Sequence, residues 1–144
     1  QKTAIRKKKI GLIFQQFYLI PNYTALENVM FPMQINSIGN EKKKASTILS
    51  DIGLADRKNN LPSELSGGEQ QRVAIARAIS FKPEIILADE PTGNLDKKNT
   101  ELVSNLLLNY SKKKEIGLII VTHNMNLAKK CDKIIKLIDG KVRL

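Results

Sequence analysis

The sequence predicts an α/β fold in which a mostly parallel sheet is flanked by helices. Three observations carry that expectation. The apolar runs Ile10 to Phe14, Ile85 to Ala88 and Leu118 to Val121 are too short for helices and rich in β-branched or bulky residues, so they read as buried strands. None alternates apolar with polar residues as a half-exposed strand does, which points to parallel strands covered on both faces. Amphipathic patterns separate the runs, and strand, helices, strand, helix, strand is the order of an open wound sheet.

The helices follow from spacing and punctuation. Thr24-x-x-Glu27 reads as a helix start, with a hydroxyl and a carboxylate placed to satisfy the first free N–H groups. Ala45, Ile48, Leu49 and Ile52 recur at i, i+3, i+4 and i+7 before Gly53 stops that helix. A third helix continues through Val73 to Ile79 and closes at Lys82-Pro83, and Leu102, Val103, Leu106, Leu107 and Tyr110 form the apolar stripe of a fourth. The end of the chain reads as a hairpin, Ile134 to Ile138 and Lys141 to Leu144, turning at Asp139-Gly140. Cys131, near the end of a short helical segment, reads as a small core residue. No repeat, low-complexity tract or linker divides the chain.

Composition narrows the function classes. With 144 residues, 42% hydrophobic and 26% charged, the chain has the make-up of one globular domain and not of a disordered, collagenous or disulfide-stapled one. No apolar run approaches the about 18 to 20 residues of a membrane-spanning helix, and the first residues lack the apolar core of a signal peptide. The expectation is a chain that does not itself cross a membrane. The single cysteine allows no internal disulfide and no zinc cluster, which suits a reducing cytoplasmic setting. Gln1 in place of Met points to a missing beginning. The net charge of +10 comes mostly from lysine runs at Lys7 to Lys9, Lys42 to Lys44 and Lys112 to Lys114. No aromatic residues interleave with them to stack bases, so they read as solvated faces and not as a nucleic-acid surface.

In an open α/β sheet, ligands bind beyond the carboxyl ends of the strands. That rule selects Gln15 and Gln16 after the first run, Asp89 and Glu90 after the second, and Thr122 and His123 after the third. Asp89 suits the positioning of Mg²⁺, which takes few protein carboxylates and keeps several waters. Glu90 suits activation of an attacking water, with a pKa expected to rise in a water-poor, anionic pocket. The same Asp-Glu-Pro-Thr-Gly stretch also reads as a polar turn ending a strand. In Leu65-Ser66-Gly67-Gly68-Glu69-Gln70-Gln71-Arg72 the paired glycines and the helix start have the physics of a phosphate site, while Ser66-x-x-Glu69 is equally a capping box. His123 is the only histidine; taken alone it reads as a hydrogen-bonded rim residue, and its position beyond a strand gives it more weight. Gln15 could ligate a metal, hold a water or merely satisfy the backbone.

Together these segments resemble ATP-binding-cassette (ABC) ATPases. Leu65 to Ala78 resembles their signature motif, Ile85-Ile86-Leu87-Ala88-Asp89-Glu90-Pro91-Thr92 their Walker B strand, Asn94-Leu95-Asp96 the D-loop, Val121-Thr122-His123 the switch histidine and Phe14-Gln15 the Q-loop. Phe14 to Val29 and Ala88 to Asp96 are similar to the lipoprotein-release, macrolide-export and peptide-resistance branch. The resemblance implies a P-loop NTPase-like ABC fold with its N-terminal part missing. Residues 1–16 would hold the strand and Q-loop, 17–80 the helical signature subdomain and 81–144 the rest of the core.

It also implies ATP and Mg²⁺ as cofactors. Glu90 would polarise the hydrolytic water, His123 would hold the γ-phosphate, and Gln15 would assist while ligating the metal with Asp89. Ser66, Gly67, Gly68 and Glu69 would meet a nucleotide held by the partner in a head-to-tail homodimer or heterodimer, with Asp96 communicating across it. The segment from about Phe17 to Asn36 would receive a membrane permease, placing the protein at the cytoplasmic face of the cell membrane with no nucleic acid as partner. Glu69 stands where the best-known pattern has Gln, a variant common in the family.

A P-loop, Gly-x-x-x-x-Gly-Lys-Ser/Thr, is absent from the 144 residues, and in the family it precedes the Q-loop. The expectation is that this chain alone neither binds ATP tightly nor hydrolyses it, and that its sheet exposes an apolar edge. Two other readings differ in class. One is a non-catalytic module whose signature completes a partner's site. The other is a DNA-repair ABC ATPase, disfavoured because only Gln16 to Leu65 separates Q-loop from signature, which leaves no room for a long coiled coil.

Overall fold

The computed structural model describes residues 8–143. Lys7 of the first lysine run and Leu144 of the expected hairpin lie outside the described residues. Strands β1 (Ile10–Ile13), β2 (Ile85–Asp89) and β3 (Gly117–Val121) form a sheet in that order, with both pairings parallel. Ile10 lies opposite Ile85 and Ile85 opposite Gly117, so the three carboxyl ends align along one rim. Each strand matches its apolar run to within a residue.

The helices are α1 (Ala25–Ile35), α2 (Glu41–Asp51), α3 (Gly67–Ile79), α4 (Lys97–Lys114) and the short α5 (Met125–Ala128). Thr24 and Glu27 close a capping box on α1: the Thr24 hydroxyl accepts from the Glu27 N–H at 3.2 Å and the Glu27 carboxylate accepts from the Thr24 N–H at 2.8 Å. Ser66 and Glu69 do the same for α3, and the Asp96 carboxylate caps α4 by accepting from the Asn99 N–H at 2.8 Å. Strands β4 (Lys136–Ile138) and β5 (Lys141–Arg143) pair antiparallel around Asp139 (φ 49°) and Gly140 (φ 72°). Two successive positive φ angles make the tight turn that suits a two-residue hairpin.

Helix α3 is the axis of the packing. Val73 and Ala76 join Leu26, Val29, Met33, Leu49 and Leu54 in a core between α1, α2 and α3. Ile75, Ala78 and Ile79, on another side of the same helix, pack with Ile13, Ile86, Ala88, Val103 and Leu107 between the sheet and α4. A helix buried on several sides must be short-chained and apolar nearly all round, which explains the run Val73-Ala74-Ile75-Ala76.

The sheet is covered on one face only among the described residues: Ile13, Ile86 and Ala88 are buried, whereas Leu12, Ile119 and Val121 face outward, Ile119 and Val121 being more than half exposed. The strands lack polar alternation because both faces of the sheet are apolar. The apolar exposure expected at an edge therefore extends over a whole face, continued by Leu137 and Val142 of the hairpin. Cys131 also departs from expectation. It follows α5 and is only half-buried, its thiol weakly bonded to the Leu127 carbonyl at 3.7 Å, so it is no core residue.

Candidate functional site

The rim formed by the aligned strand ends gathers the residues the strand-end rule selects. Directly after β2, Glu90 takes a left-handed conformation (φ 43°) while its N–H still donates to Val121 O at 2.8 Å. This sparsely populated geometry for a non-glycine residue turns the side chain along the rim toward the end of β3. There one carboxylate oxygen accepts from the His123 N–H at 2.7 Å and meets His123 Nδ1 at 2.8 Å, and the other accepts from the Thr122 hydroxyl at 3.0 Å. The Glu90 side chain is 19% exposed and the His123 ring 80%, so the histidine offers its outer edge to solvent.

The expected rise in the Glu90 pKa does not occur. Burial pushes it up, but the His123 ring and N–H and the Thr122 hydroxyl together outweigh burial and hold the carboxyl below its ordinary value. The physical reason is donor count: a carboxylate that accepts several hydrogen bonds is stabilised as the anion even when partly withdrawn from water.

Beyond β1, Gln15 lies over Gly93, where a β-carbon would crowd the Gln15 amide nitrogen at 2.8 Å. Gln15 Nε2 donates to Asn94 Oδ1 at 3.0 Å, and Asn94 Nδ2 donates back to Gln15 O at 3.3 Å. This leaves Gln15 Oε1 without a hydrogen-bond partner among the described residues. Asp89 is exposed at the end of β2. Two oxygen donors of this kind suit a hard cation that retains its waters. No cluster of three or more His, Cys, Asp or Glu residues among the described residues could cage a metal by itself.

Residues 66–69 form a second group. The Ser66 hydroxyl and the Glu69 carboxylate are engaged with each other at 2.7 Å, which holds the Glu69 carboxyl below its usual range through the Ser66 hydroxyl and N–H. Gly68 is buried against Asn99, whose side chain fills the space of the missing β-carbon, and Asn99 Nδ2 in turn donates to Asp96 at 2.6 Å. A β-carbon on Gly67 would meet only Phe17 and Leu95 at ordinary contact distances. Capping thus explains Ser66 and Glu69, close packing explains Gly68, and no close contact among the described residues requires glycine at 67. No hydrogen bond joins residues 66–69 to Gln15, Glu90 or His123 among the described residues.

Three contributors escape a reading of the sequence. Asn28 is fully buried and binds the loop before α1 through Ile20 N, Ile20 O and Tyr23 O. Arg77 reaches from α3 to the carbonyls of Phe17 and Tyr18 behind the Gln15 loop. Gln71 is fully buried between Phe14 and Pro91. For Gln71 a signal exists, since it falls one turn before Ile75 on the stripe that packs against the sheet, where an amide needs a reason.

Comparison with known proteins follows the same lines. The family described as ABC transporter matches residues 1–93. The lipoprotein-releasing system ATP-binding protein LolD 2 of Rhodopseudomonas palustris is 47% identical over 144 residues, covering 99% of this chain and 62% of its own length. LolD of Rickettsia bellii is 49% identical, covering 97% of this chain and 64% of its own. A dimeric ATP-binding cassette, MJ0796, in a post-hydrolysis state bound to ADP and Pi superimposes with a TM-score of 0.88 at 44% identity, over 99% of this chain and 64% of that one. The chain spans less than two thirds of the length of each of these relatives. Motif order, an aligned strand-end rim and near-half identity along the whole chain converge on one assignment: this chain belongs to the ABC transporter family of ATP-binding cassettes.

Proposed function

We propose that this chain supplies the Walker B, D-loop, signature and switch residues of an ATP-binding subunit that drives lipoprotein release or a related export step through a membrane permease. The observation that carries this is the Glu90–His123 pair on the rim, where a carboxylate ionised at neutral pH meets the one exposed imidazole.

In this reading Glu90 accepts the proton of the attacking water, and its several hydrogen bonds keep it oriented for that task. His123 presents its outer ring edge to the γ-phosphate while Nδ1 stays fixed by Glu90. The Asp89 carboxylate and Gln15 Oε1 would hold Mg²⁺, which would supply charge neutralisation at the phosphate oxygens. No P-loop occurs in these 144 residues, so the main cradle for triphosphate comes from outside them, and the chain by itself is expected neither to hold ATP tightly nor to hydrolyse it.

Dimer formation is supported by Gly67, where a β-carbon would meet Phe17 and Leu95 only at ordinary contact distances, and by the absence, among the described residues, of a hydrogen bond from residues 66–69 to Gln15, Glu90 or His123. A head-to-tail partner would bring its nucleotide to Ser66, Gly67 and Gly68, with Glu69 behind them, and Asp96 would lie at the same junction. Residues 17–80 form the helical signature part in this reading. An apolar groove of about 440 Å³ lined by Leu12, Phe14, Phe31, Ile35 and Phe81 suits a short helix of the permease. No helix among the described residues is long and apolar enough to cross a membrane, so attachment at the cytoplasmic face would be peripheral, through that partner.

The test uses a complete cassette in which this sequence follows a P-loop-bearing segment. Mg-ATP hydrolysis is expected to fall by at least about 100-fold on Glu90→Gln while nucleotide binding is retained. Hydrolysis that survives Glu90→Gln would sink the reading.

A further inference from the structure

The Gln71 side chain occupies a place where an apolar residue would pack more cheaply. It is wholly buried on α3, and its Oε1 has no partner among the described residues, which costs stability because a desolvated acceptor is left unpaired. Its amide nitrogen explains why it is there. Nε2 donates to Pro91 O at 2.6 Å and, more weakly, to Phe14 O at 3.4 Å. Pro91 directly follows Glu90 and Phe14 directly precedes Gln15. One carboxamide therefore forks between the two loops that carry the proposed base and the proposed metal contact, and the fixed angle between its two N–H bonds sets how far apart those loops stand.

We infer that Gln71 is a positioning residue that fixes the spacing of Gln15 and Glu90; the inference rests on the function proposed above. The rest of the junction agrees with it. On the solvent side the hydrogen bonds that join the same two loops among the described residues are those of the exposed Gln15–Asn94 pair, at 3.0 and 3.3 Å, which is too open to water to hold a spacing alone. Both Gln71 partners are carbonyl oxygens, so the position demands a donor, and neither an isosteric thioether nor a carboxylate can replace it. Because Gln71 rides on α3, whose first turn carries the signature glycines and whose Arg77 grips the carbonyls of Phe17 and Tyr18, a shift of this helix moves both loops together.

The experiment is NMR on the isotopically labelled 144-residue chain. In the unsubstituted protein the Gln71 carboxamide protons are expected to exchange at least about tenfold more slowly than those of the exposed Gln34. In Gln71→Met, which keeps the volume and removes both donors, the side-chain contact between Gln15 and Asn94 is expected to vanish. The resonances of Gln15 and Glu90 should shift together, with the Thr24–Glu27 cap unchanged. In the complete cassette Gln71→Met should lower kcat about tenfold and leave KM for ATP within about twofold. Free exchange of the Gln71 carboxamide, or Gln71→Met spectra with Gln15 and Glu90 in place, overturns the inference. The exchange measurement decides it even if the variant fails to fold. An unsubstituted cassette without ATPase activity would instead overturn the proposed function, leaving the NMR result to decide the clamp.

Discussion

Asn99 fills the space that a β-carbon on Gly68 would occupy, and the same side chain donates to Asp96 at 2.6 Å. The first turn of α3 is thereby packed against the first turn of α4 and its cap. Gly68→Ala is expected to destabilise the fold by about 1–3 kcal/mol through overpacking. Asn99→Ala should recover much of that loss, giving a coupling of about 1–2 kcal/mol in a double-mutant cycle followed by urea unfolding. Strictly additive effects would show that the two residues do not touch.

Acid should weaken the fold through Glu90. Its folded pKa lies below the unfolded one, so its contribution is complete above the unfolded value of about 4.3 and is lost as the pH falls through the folded value. Glu69, held low by Ser66, and Asp96, held low by the N–H and amide of Asn99, act in the same direction. Glu90→Gln should lower Tm at pH 7, and calorimetry should find the gap from the unsubstituted chain closing as the pH falls into the carboxylate range. A gap independent of pH would exclude Glu90 as a source of the acid response.

The two faces of the sheet should respond differently to substitution. Ile86 is fully buried and Ile119 more than half exposed, although both lie on adjacent strands of the sheet. Ile86→Ala is expected to cost about 2–5 kcal/mol, measured by denaturant unfolding. Ile119→Ser should change stability by no more than about 0.5 kcal/mol. By sedimentation it should reduce self-association, because it breaks a contiguous apolar patch. Comparable losses at both sites would show that the outer face is packed in solution.

The start of α1 provides a local test. Thr24→Ala removes one half of the capping box and is expected to cost about 1 kcal/mol, with Thr24→Ser close to neutral. Thermal unfolding of the two variants decides it: equal Tm values for Ala and Ser would mean that the hydroxyl contributes nothing.

Strand runs, helix stripes and turn signals were legible in the sequence because each depends on neighbours a few residues apart. Thr24 and Glu27, Ser66 and Glu69, and Asp139 and Gly140 all behave as their spacing requires. The difference in exposure between Ile86 and Ile119 among the described residues was not legible, since the two side chains are chemically alike and only long-range packing distinguishes them. Gln71 and Asn28 were missed for the converse reason. An amide on an apolar stripe shows that something polar is needed, but its partners lie 57 and 20 residues away for Gln71 and cannot be named from spacing.

The sequence by itself determined the family, the order of its motifs and the residues brought to one rim, because local periodicity and strand order suffice to align strand ends. Only the tertiary structure decided how those residues are held. The Glu90 carboxyl is drawn below its usual range by Thr122 and His123, just beyond β3, instead of being raised by burial, Gly68 answers to Asn99, and Gln71 spans two loops. Each of these depends on which groups meet across the fold, and hydrogen bonding and close packing act over a few ångströms in space, whatever the separation along the chain.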